Sequence, residues 1–271
     1  MPTQAELATR FLALHRAGTP LLMPNPWDLG SARILASLGF EALATTSSGH
    51  AMTLGRLDGG VTRDEALTHA AALAAAVDVP VSADLEHGFA DDPAAVAATV
   101  RDAVAAGLAG CSIEDSTGQP DDPIYDAALA AERVRAAVEA AHASPVHLVL
   151  TARAEGFLHG RPDLGDAIAR LQSFQEAGAD VLFAPGVRDL ADIRSLVQSV
   201  NRPVNVILGP GGLTVGDLAE AGVARISVGG SFAHAALGTM VDAARALLTT
   251  GTHTAWEHVA TGREAVRAAL G

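Results

Sequence analysis

The sequence contains no lysine, so all 18 of its basic residues are arginine. Schiff-base chemistry on a lysine is therefore excluded, and so is covalent attachment of pyridoxal phosphate. Cysteine is nearly absent, because Cys111 stands alone within an apolar segment where we expect a buried strand. A single cysteine cannot form an intrachain disulfide, and nothing in this content points to an oxidising compartment.

Positive charge is also scarce. The 31 acidic residues outnumber the 18 basic ones, which gives a net charge of −13. This balance argues against a nucleic-acid surface and disfavours binding to anionic membranes. No apolar run approaches the ~20 residues needed to span a bilayer, and residues 1–17 lack the apolar block of a signal peptide. We therefore expect a cytoplasmic protein that binds neither nucleic acid nor membrane.

The chain does contain a large apolar fraction, 49% of 271 residues, which suffices for one large core. Eight short β-rich runs alternate with longer alanine-rich helical segments, a pattern that indicates a parallel sheet. Eight such units in roughly 250 residues match an α/β fold, the (β/α)8 TIM barrel. A doubly wound sheet is the alternative, but the Pro-Asn-Pro-Trp-Asp turn at 24–28 could not cradle a pyrophosphate.

The predicted strands cover 21–25, 42–46, 80–84, 111–114, 146–153, 181–185, 204–207 and 225–229. The predicted helices cover 28–38, 62–77, 92–106, 126–141, 164–177, 190–200, 215–221 and 233–249. Thr62 with Glu65 three residues later predicts a capping box at the start of its helix. We read 1–271 as a single domain, in which residues 250–271 form an extra C-terminal helix outside the eight units.

Acidic side chains follow three consecutive predicted strands: Asp84, Glu86, Glu114, Asp115 and Glu155. The carboxyl ends of barrel strands meet at one mouth, where these carboxylates would repel each other. A hard divalent cation with oxygen ligands resolves the repulsion, and Mg²⁺ needs only one or two direct carboxylates. No histidine pair has zinc-site spacing. A position at a helix N-cap or in a solvated loop would account for one such acidic residue. It accounts poorly for acidic residues at the ends of three adjacent strands.

Arg153 follows a strongly apolar strand, and two interpretations of it are open. It forms an ion pair with Glu155 or Glu114, or it grips a substrate carboxylate, which we favour. Other polar residues near strand ends carry less information. We expect His87 to hydrogen-bond within its turn, and His50 and His234 to be ordinary loop residues. Glycine-rich turns at 209–212 and 229–231 allow a phosphate site, a weaker alternative.

Three motifs together are specific: Ser-Ala-Asp-Leu-Glu-His-Gly-Phe at 82–89, Gly-Cys-Ser-Ile-Glu-Asp-Ser at 110–116 and Thr-Ala-Arg-Ala-Glu at 151–155. With supporting segments at 24–28, 54–58 and 177–181, the chain resembles the isocitrate lyase/phosphoenolpyruvate mutase superfamily over nearly its whole length. The resemblance implies an α/β barrel whose extra C-terminal helix is often swapped between subunits of a homo-oligomer, a dimer or usually a homotetramer. It also implies Mg²⁺ (or Mn²⁺) and a 2-oxo acid or its enolate.

Carried over residue by residue, the resemblance implies that Asp84 binds the metal directly, while Glu86 and Glu114 bind it through metal-bound water. It places Asp58 beside the metal and Arg153 on the substrate carboxylate. A loop is expected to hold the other end of the substrate through backbone N–H groups and hydroxyls: Thr46, Ser47, Ser48 and Gly49.

One segment departs from both branches of this superfamily. The lyase branch carries a lysine–cysteine–glycine–histidine loop after the residue that corresponds to Glu114, and its cysteine handles the proton after C–C cleavage. Residues 115–126 contain no cysteine, histidine or lysine. The mutase branch expects a lysine and an asparagine there, and a histidine after strand six, where this chain has Pro185. Isocitrate-type cleavage and phosphonate mutase chemistry are both disfavoured.

The remaining features predict a Mg²⁺-dependent lyase that acts on a small 2-oxo (di)carboxylic acid through a metal-stabilised enolate. Oxaloacetate-type decarboxylation needs the least extra machinery, and C–C cleavage is the related possibility. Water or Tyr125 would protonate the enolate. Alternatives are a 2-oxo acid-binding barrel with little or no turnover, a C–P bond enzyme of phosphonopyruvate type, and a phosphate-binding barrel enzyme.

Overall fold

Eight parallel strands form one sheet that curves into a nearly closed barrel. The computed structural model describes residues 2–143, 146–252 and 255–271. The strands are β1 (Leu21–Met23), β2 (Leu43–Ala44), β3 (Val81–Asp84), β4 (Gly110–Glu114), β5 (Val149–Arg153), β6 (Val181–Phe183), β7 (Val204–Ile207) and β8 (Arg225–Ser227). They pair in the order β1-β8-β7-β6-β5-β4-β3-β2, and every pair is parallel. The predicted (β/α)8 barrel is confirmed.

Helices surround this sheet and extend beyond it. They are α1 (Gln4–Ala13), α2 (Leu29–Ser37), α3 (Ser47–Thr53), α4 (Arg63–Ala74), α5 (Pro93–Ala105), α6 (Ala127–His142), α7 (Leu164–Glu176), α8 (Leu190–Gln198), α9 (Val215–Glu220), α10 (Ser231–Thr250) and α11 (Trp256–Leu270). None of the helices in the described ranges is both long enough and apolar enough to cross a bilayer.

The two ends of the pairing order, β1 and β2, are joined just beyond their last residues. The backbone N–H of Ala44 donates to the Pro24 carbonyl at 3.1 Å. The Asn25 side chain, which is buried, donates to the Thr45 carbonyl at 3.0 Å. These bonds bring the carboxyl ends of β1 and β2 together, so all eight strand ends surround one mouth.

Local sequence signals set the helix starts. The Thr62 hydroxyl accepts from the Glu65 N–H, and the Glu65 carboxylate accepts from the Thr62 N–H at 2.9 Å, which confirms the predicted capping box. Asp92 caps α5, and Pro93 occupies the first helical position, where no N–H is needed. The helices pack their apolar faces on the strands, and one large cluster of buried side chains fills the space between them.

Helix α1, which we did not predict, closes the amino end of the barrel. Phe11 is fully buried there, packed so closely on β4 that a Cβ added to Gly110 would lie 2.6 Å from Phe11 Cε1. Gln4 anchors the helix by donating to the Val104 and Leu108 carbonyls at 2.7 and 2.9 Å. The capping box of Thr3 and Glu6 was the sequence signal for this helix, which lies outside the βα repeat.

Other predicted boundaries also shift. The strands predicted at 146–153 and 181–185 are shorter in the structure. Pairing with the neighbouring strands begins at Val149 in β5 and ends at Phe183 in β6. The extra helix was predicted within residues 250–271, of which 253 and 254 lie outside the described residues, and α11 covers Trp256–Leu270. In this single chain α11 packs against α2. Its exchange between subunits stays a prediction, as does the single-domain assignment.

Candidate active site

Two adjoining cavities open at the carboxyl ends of the strands. The inner one, of about 200 Å³, lies within the barrel mouth and is lined by six predicted site residues: Thr46, Ser47, Ser48, Asp58, Asp84 and Arg153. The outer one, of about 470 Å³, shares three of them and adds Glu86, Glu114 and Glu155. The structure therefore brings together nine of the residues that the sequence singled out. A cavity of about 490 Å³ at the opposite end of the barrel contains none of them.

Arg153 lies at the centre of the acidic group and contacts three carboxylates. Its Nε donates to Glu155 Oε1 at 2.7 Å, and Nη1 donates to Asp84 Oδ1 at 2.9 Å. Nη2 lies 3.1 Å from Glu114 Oε2. Burial alone would lower the pKa of Arg153, but the three carboxylates raise it. The ion-pair interpretation is thus realised and extends to Asp84, while the substrate-clamp interpretation stays a prediction.

Asp84 ends β3 with its carboxylate held by neighbouring strands. Its backbone N–H donates to Thr45 Oγ1 at 2.8 Å, and its Oδ2 accepts from the Ser47 N–H at 3.2 Å. The Ser112 hydroxyl lies 3.5 Å from Oδ1. The carboxylate is therefore contacted from α3 and β4, while Thr45, just after β2, holds the Asp84 backbone.

Glu86 is positioned by an unusual backbone conformation. Its φ is +49°, a left-handed value that costs a residue with a Cβ about 1–3 kcal/mol. Arg133 stabilises this turn, because its Nη2 donates to the His87 carbonyl and, at 2.8 Å, to the Ala90 carbonyl. Burial, together with the nearby Asp84, Glu114 and Asp58 carboxylates, raises the pKa of Glu86 to about 8.

A divalent cation fits this donor set. The carboxylates around Arg153 offer oxygen ligands, which Mg²⁺ prefers. Their negative charge also contributes to the raised pKa of Glu86. Among the described residues, no three of these carboxylates bring one oxygen each within 4.8 Å of one another. The spacing is too wide for all of them to bind one ion directly, which agrees with one direct ligand and others acting through water.

A second candidate group of metal ligands lies at the amino ends of β5 and β6. His142 and His147 each place Nε2 at 3.0 Å from one oxygen of Asp180. The two rings are stacked, with centroids 3.9 Å apart and planes at 20°, so their Nε2 lone pairs do not converge on one ion. This arrangement is better explained as two hydrogen bonds that tie α6 and the segment before β5 to Asp180.

Tyr125 lies outside both cavities, contrary to its predicted role as a proton donor. Its hydroxyl donates to Asp91, and its ring packs under the Arg133 guanidinium, 3.9 Å from the ring centroid. Burial and the hydrogen bond to Asp91 raise the pKa of Tyr125 to about 12. Tyr125 therefore stabilises the turn after β3 instead of facing the cleft.

The predicted substrate loop is the first turn of helix α3. Thr46 is its N-cap and accepts from the Gly49 N–H at 3.4 Å, and the Ser47 N–H is bonded to Asp84. Two backbone donors expected for substrate are therefore used within the protein. Gly49 does not line either cavity, and a Cβ there would lie 2.9 Å from Trp27 Cβ. The absence of a side chain at Gly49 therefore permits close packing, while Thr46 and Ser48, whose hydroxyl oxygens lie 3.2 Å apart, line the inner cavity.

The sequence interpretation overlooked Arg225, which begins β8, lines the inner cavity and is only 3% exposed. Its Nε donates to Asn205 Oδ1 at 2.9 Å, and its Nη1 contacts Thr151 Oγ1 at 3.1 Å and His15 Nε2 at 3.3 Å. The sequence signal for Arg225 was the alternation of polar and apolar residues in this short strand. Arg225 and Ser227 are two positions apart, so both point to the same side of the sheet, as residues that face the barrel interior do.

Known proteins are similar to this chain in sequence and in fold. A sequence model of the phosphoenolpyruvate phosphomutase family matches residues 11–248. An uncharacterised protein of Mycobacterium tuberculosis strain H37Rv is 36% identical over 239 residues, 88% of each chain. The 2-methylisocitrate lyase of Escherichia coli K12 is 30% identical over 202 residues, 72% of this chain and 67% of that protein.

A solved structure agrees in detail. A Burkholderia cenocepacia J2315 protein, provisionally assigned as a lyase or mutase, superposes with a TM-score of 0.94 at 50% identity, covering 99% of this chain and 97% of the other. Lyases and mutases thus both occur among the relatives. With the barrel, the three motifs and the family match in agreement, the chain belongs to the phosphoenolpyruvate phosphomutase family, within the isocitrate lyase/phosphoenolpyruvate mutase superfamily.

Proposed function

We propose that this protein is a Mg²⁺- or Mn²⁺-dependent lyase that acts on a small 2-oxo (di)carboxylic acid through an enolate. The observation that carries the proposal is the group of carboxylates around Arg153 at the barrel mouth. Oxaloacetate-type decarboxylation or C–C cleavage is the reaction class that this group supports best.

Three carboxylates would hold the metal: Asp84 directly, and Glu86 and Glu114 through water. The raised pKa of Glu86 supports this, because burial and the neighbouring carboxylates both disfavour its charged form, which a bound cation would favour. When bound, the divalent cation supplies a Lewis acid that stabilises negative charge on the 2-oxo group.

Arg153 would bind the substrate carboxylate. Glu155, whose side chain is only 3% exposed, holds the Nε edge of the guanidinium and so fixes its plane. Nη1 and Nη2 form the other edge, whose present partners are Asp84 and Glu114. If Asp84 and Glu114 held the cation instead, this edge would be available for bidentate contact with a substrate carboxylate.

The remaining residues would orient the substrate and supply its proton. Thr46, Ser47 and Ser48 line the inner cavity and would offer their hydroxyls to the substrate. Asp58 lines both cavities beside the proposed metal position. Because Tyr125 points away and residues 115–126 lack a cysteine, histidine or lysine, we assign protonation of the enolate to water from the open outer cavity.

The test is a panel of 2-oxo diacids, including oxaloacetate, assayed with Mg²⁺ or Mn²⁺ and with a chelator for production of pyruvate or CO₂. We expect metal-dependent turnover of at least one diacid. Metal-dependent binding of 2-oxo acids without product would instead support the non-catalytic alternative, which the missing residues of 115–126 favour. The absence of both binding and turnover, for every diacid tested, would refute the proposal.

A further inference from the structure

Arg225 carries a buried positive charge that pairs with no carboxylate among the described residues. All its hydrogen-bond partners among the described residues are uncharged: Asn205, Thr151 and His15. His15 stays neutral, because burial, together with the positive charge of Arg225, lowers its pKa to about 3. Its Nδ1 lies 2.8 Å from the Phe11 carbonyl and so carries the proton, which leaves Nε2 to accept from Arg225.

These contacts occupy only part of the guanidinium. Nε has one hydrogen, which Asn205 accepts, and Nη1 has two, which are directed at Thr151 and His15. The two hydrogens of Nη2 have no partner among the described residues, and Arg225 lines the inner cavity. A purely structural role would explain the hydrogen bonds of Nε and Nη1, which connect β8 to β5, β7 and the segment before β1. It would not explain why Nη2 lacks a partner among the described residues or why a charged residue occupies this position.

A second arginine shares the cavity, with the opposite electrostatic situation. Arg153 is neutralised by three carboxylates, whereas burial and then the positive charge of Arg153 lower the pKa of Arg225 to about 9. Arg225 is still charged at neutral pH, so a 200 Å³ cavity contains an uncompensated cation on the side opposite the acidic group. A buried charge of this kind is stabilised by an anion that enters the cavity.

We propose that Arg225 is a specificity-determining residue whose Nη2 binds a second carboxylate at the far end of the substrate. The site would then select a dianionic 2-oxo acid, with one end at Asp84 and Arg153 and the other on β8. This inference rests on the proposed function, because it assumes that the first end of the substrate binds at the carboxylate group.

Three stable ligands, titrated calorimetrically in Mg²⁺ into the full chain, separate the two ends. Oxalate probes the metal end alone. Malate and 2-hydroxybutanoate differ only at the far end, where a methyl group replaces a carboxylate. We expect the wild type to bind malate more tightly than 2-hydroxybutanoate. Arg225→Met should reduce this preference by about 10- to 100-fold, which corresponds to one charge-assisted hydrogen bond. Its affinity for oxalate should be unchanged. Arg225→Lys, which keeps the charge, should restore part of the preference.

A second variant keeps the test decisive if Arg225→Met does not fold. Asn205→Asp retains the acceptor for Arg225 Nε and supplies an internal counter-ion, so it should fold and also lose the preference for malate. An unchanged preference in a folded variant, with oxalate still bound, overturns the role of Arg225 alone. Failure of wild-type protein to bind oxalate in Mg²⁺ overturns the proposed function instead.

Discussion

Arg153 Nη1 donates to Asp84 Oδ1 at 2.9 Å, so the residue proposed to bind the substrate is ion-paired to the residue proposed to bind the metal. Both side chains are about five-sixths buried, which makes the pair sensitive to loss of either partner. Cation binding at Asp84 would therefore release one edge of Arg153, and metal and substrate should bind in a coupled manner.

Asp84→Asn should abolish Mg²⁺ binding and lower activity at least about 100-fold, because the direct ligand loses its charge. Isothermal titration with Mg²⁺ and the diacid assay measure the two effects. Asp78→Asn is the matched control, since Asp78 is exposed near the amino end of β3, away from the mouth. Retained metal affinity in Asp84→Asn would remove the basis for the metal site.

Gly49→Ala should destabilise the fold by about 1–3 kcal/mol, because the added Cβ would lie 2.6 Å from Thr46 Cγ2 and 2.9 Å from Trp27 Cβ. Chemical denaturation measures the change. Gly238→Ala is the control: it lies within α10 with no atom within 4 Å of the new Cβ, and should be neutral or stabilising. Equal effects of the two substitutions would contradict the packing role of Gly49.

The pH dependence of stability should contain a contribution from His15. Its folded pKa of about 3 lies below the usual value of 6.5, so between these values the unfolded chain binds more protons. Stability is then lost as the pH falls, by about 2 kcal/mol between pH 6.5 and 4.5. Denaturation at several pH values should show a shallower slope for His15→Gln than for wild type. His258→Gln, on the exposed face of α11, should keep the wild-type slope.

Tyr125→Phe should retain activity within about threefold and lose about 1 kcal/mol of stability, the value of one hydrogen bond to Asp91. Steady-state kinetics on the diacid that turns over, with thermal denaturation of the same samples, tests this. A loss of turnover with an unchanged KM would instead return Tyr125 to the role of proton donor.

Exposed apolar side chains on the two C-terminal helices indicate self-association. Large apolar side chains of α10 and α11 are exposed in the single chain, including Met240, Leu247, Leu248 and Trp256. Light scattering after gel filtration should give the mass of a dimer or tetramer. Leu248→Glu should lower that mass, whereas Leu38→Glu, at an exposed position outside these helices, should not. A monomeric wild-type protein would exclude the predicted homo-oligomer.

The sequence by itself determined the barrel and the composition of its acidic mouth. Short β-rich runs and helical segments, with caps such as Thr62 and Glu65, are local properties of the sequence. Eight alternations of strand and helix are compatible with few topologies. Asp84, Glu114 and Arg153 could be grouped because each follows a strand, and parallel strands end at the same edge.

Only the tertiary structure decided which neighbours these residues have. Whether Arg153 pairs with Asp84, whether Tyr125 faces the cleft and whether Gly49 contacts Trp27 depend on helices that pack from distant parts of the chain. Arg225 is the clearest case. In the sequence it is one of 18 arginines. Only closure of the barrel buries it and gives it partners that, within the described part of the chain, are all uncharged, because burial and partners are properties of the assembled core.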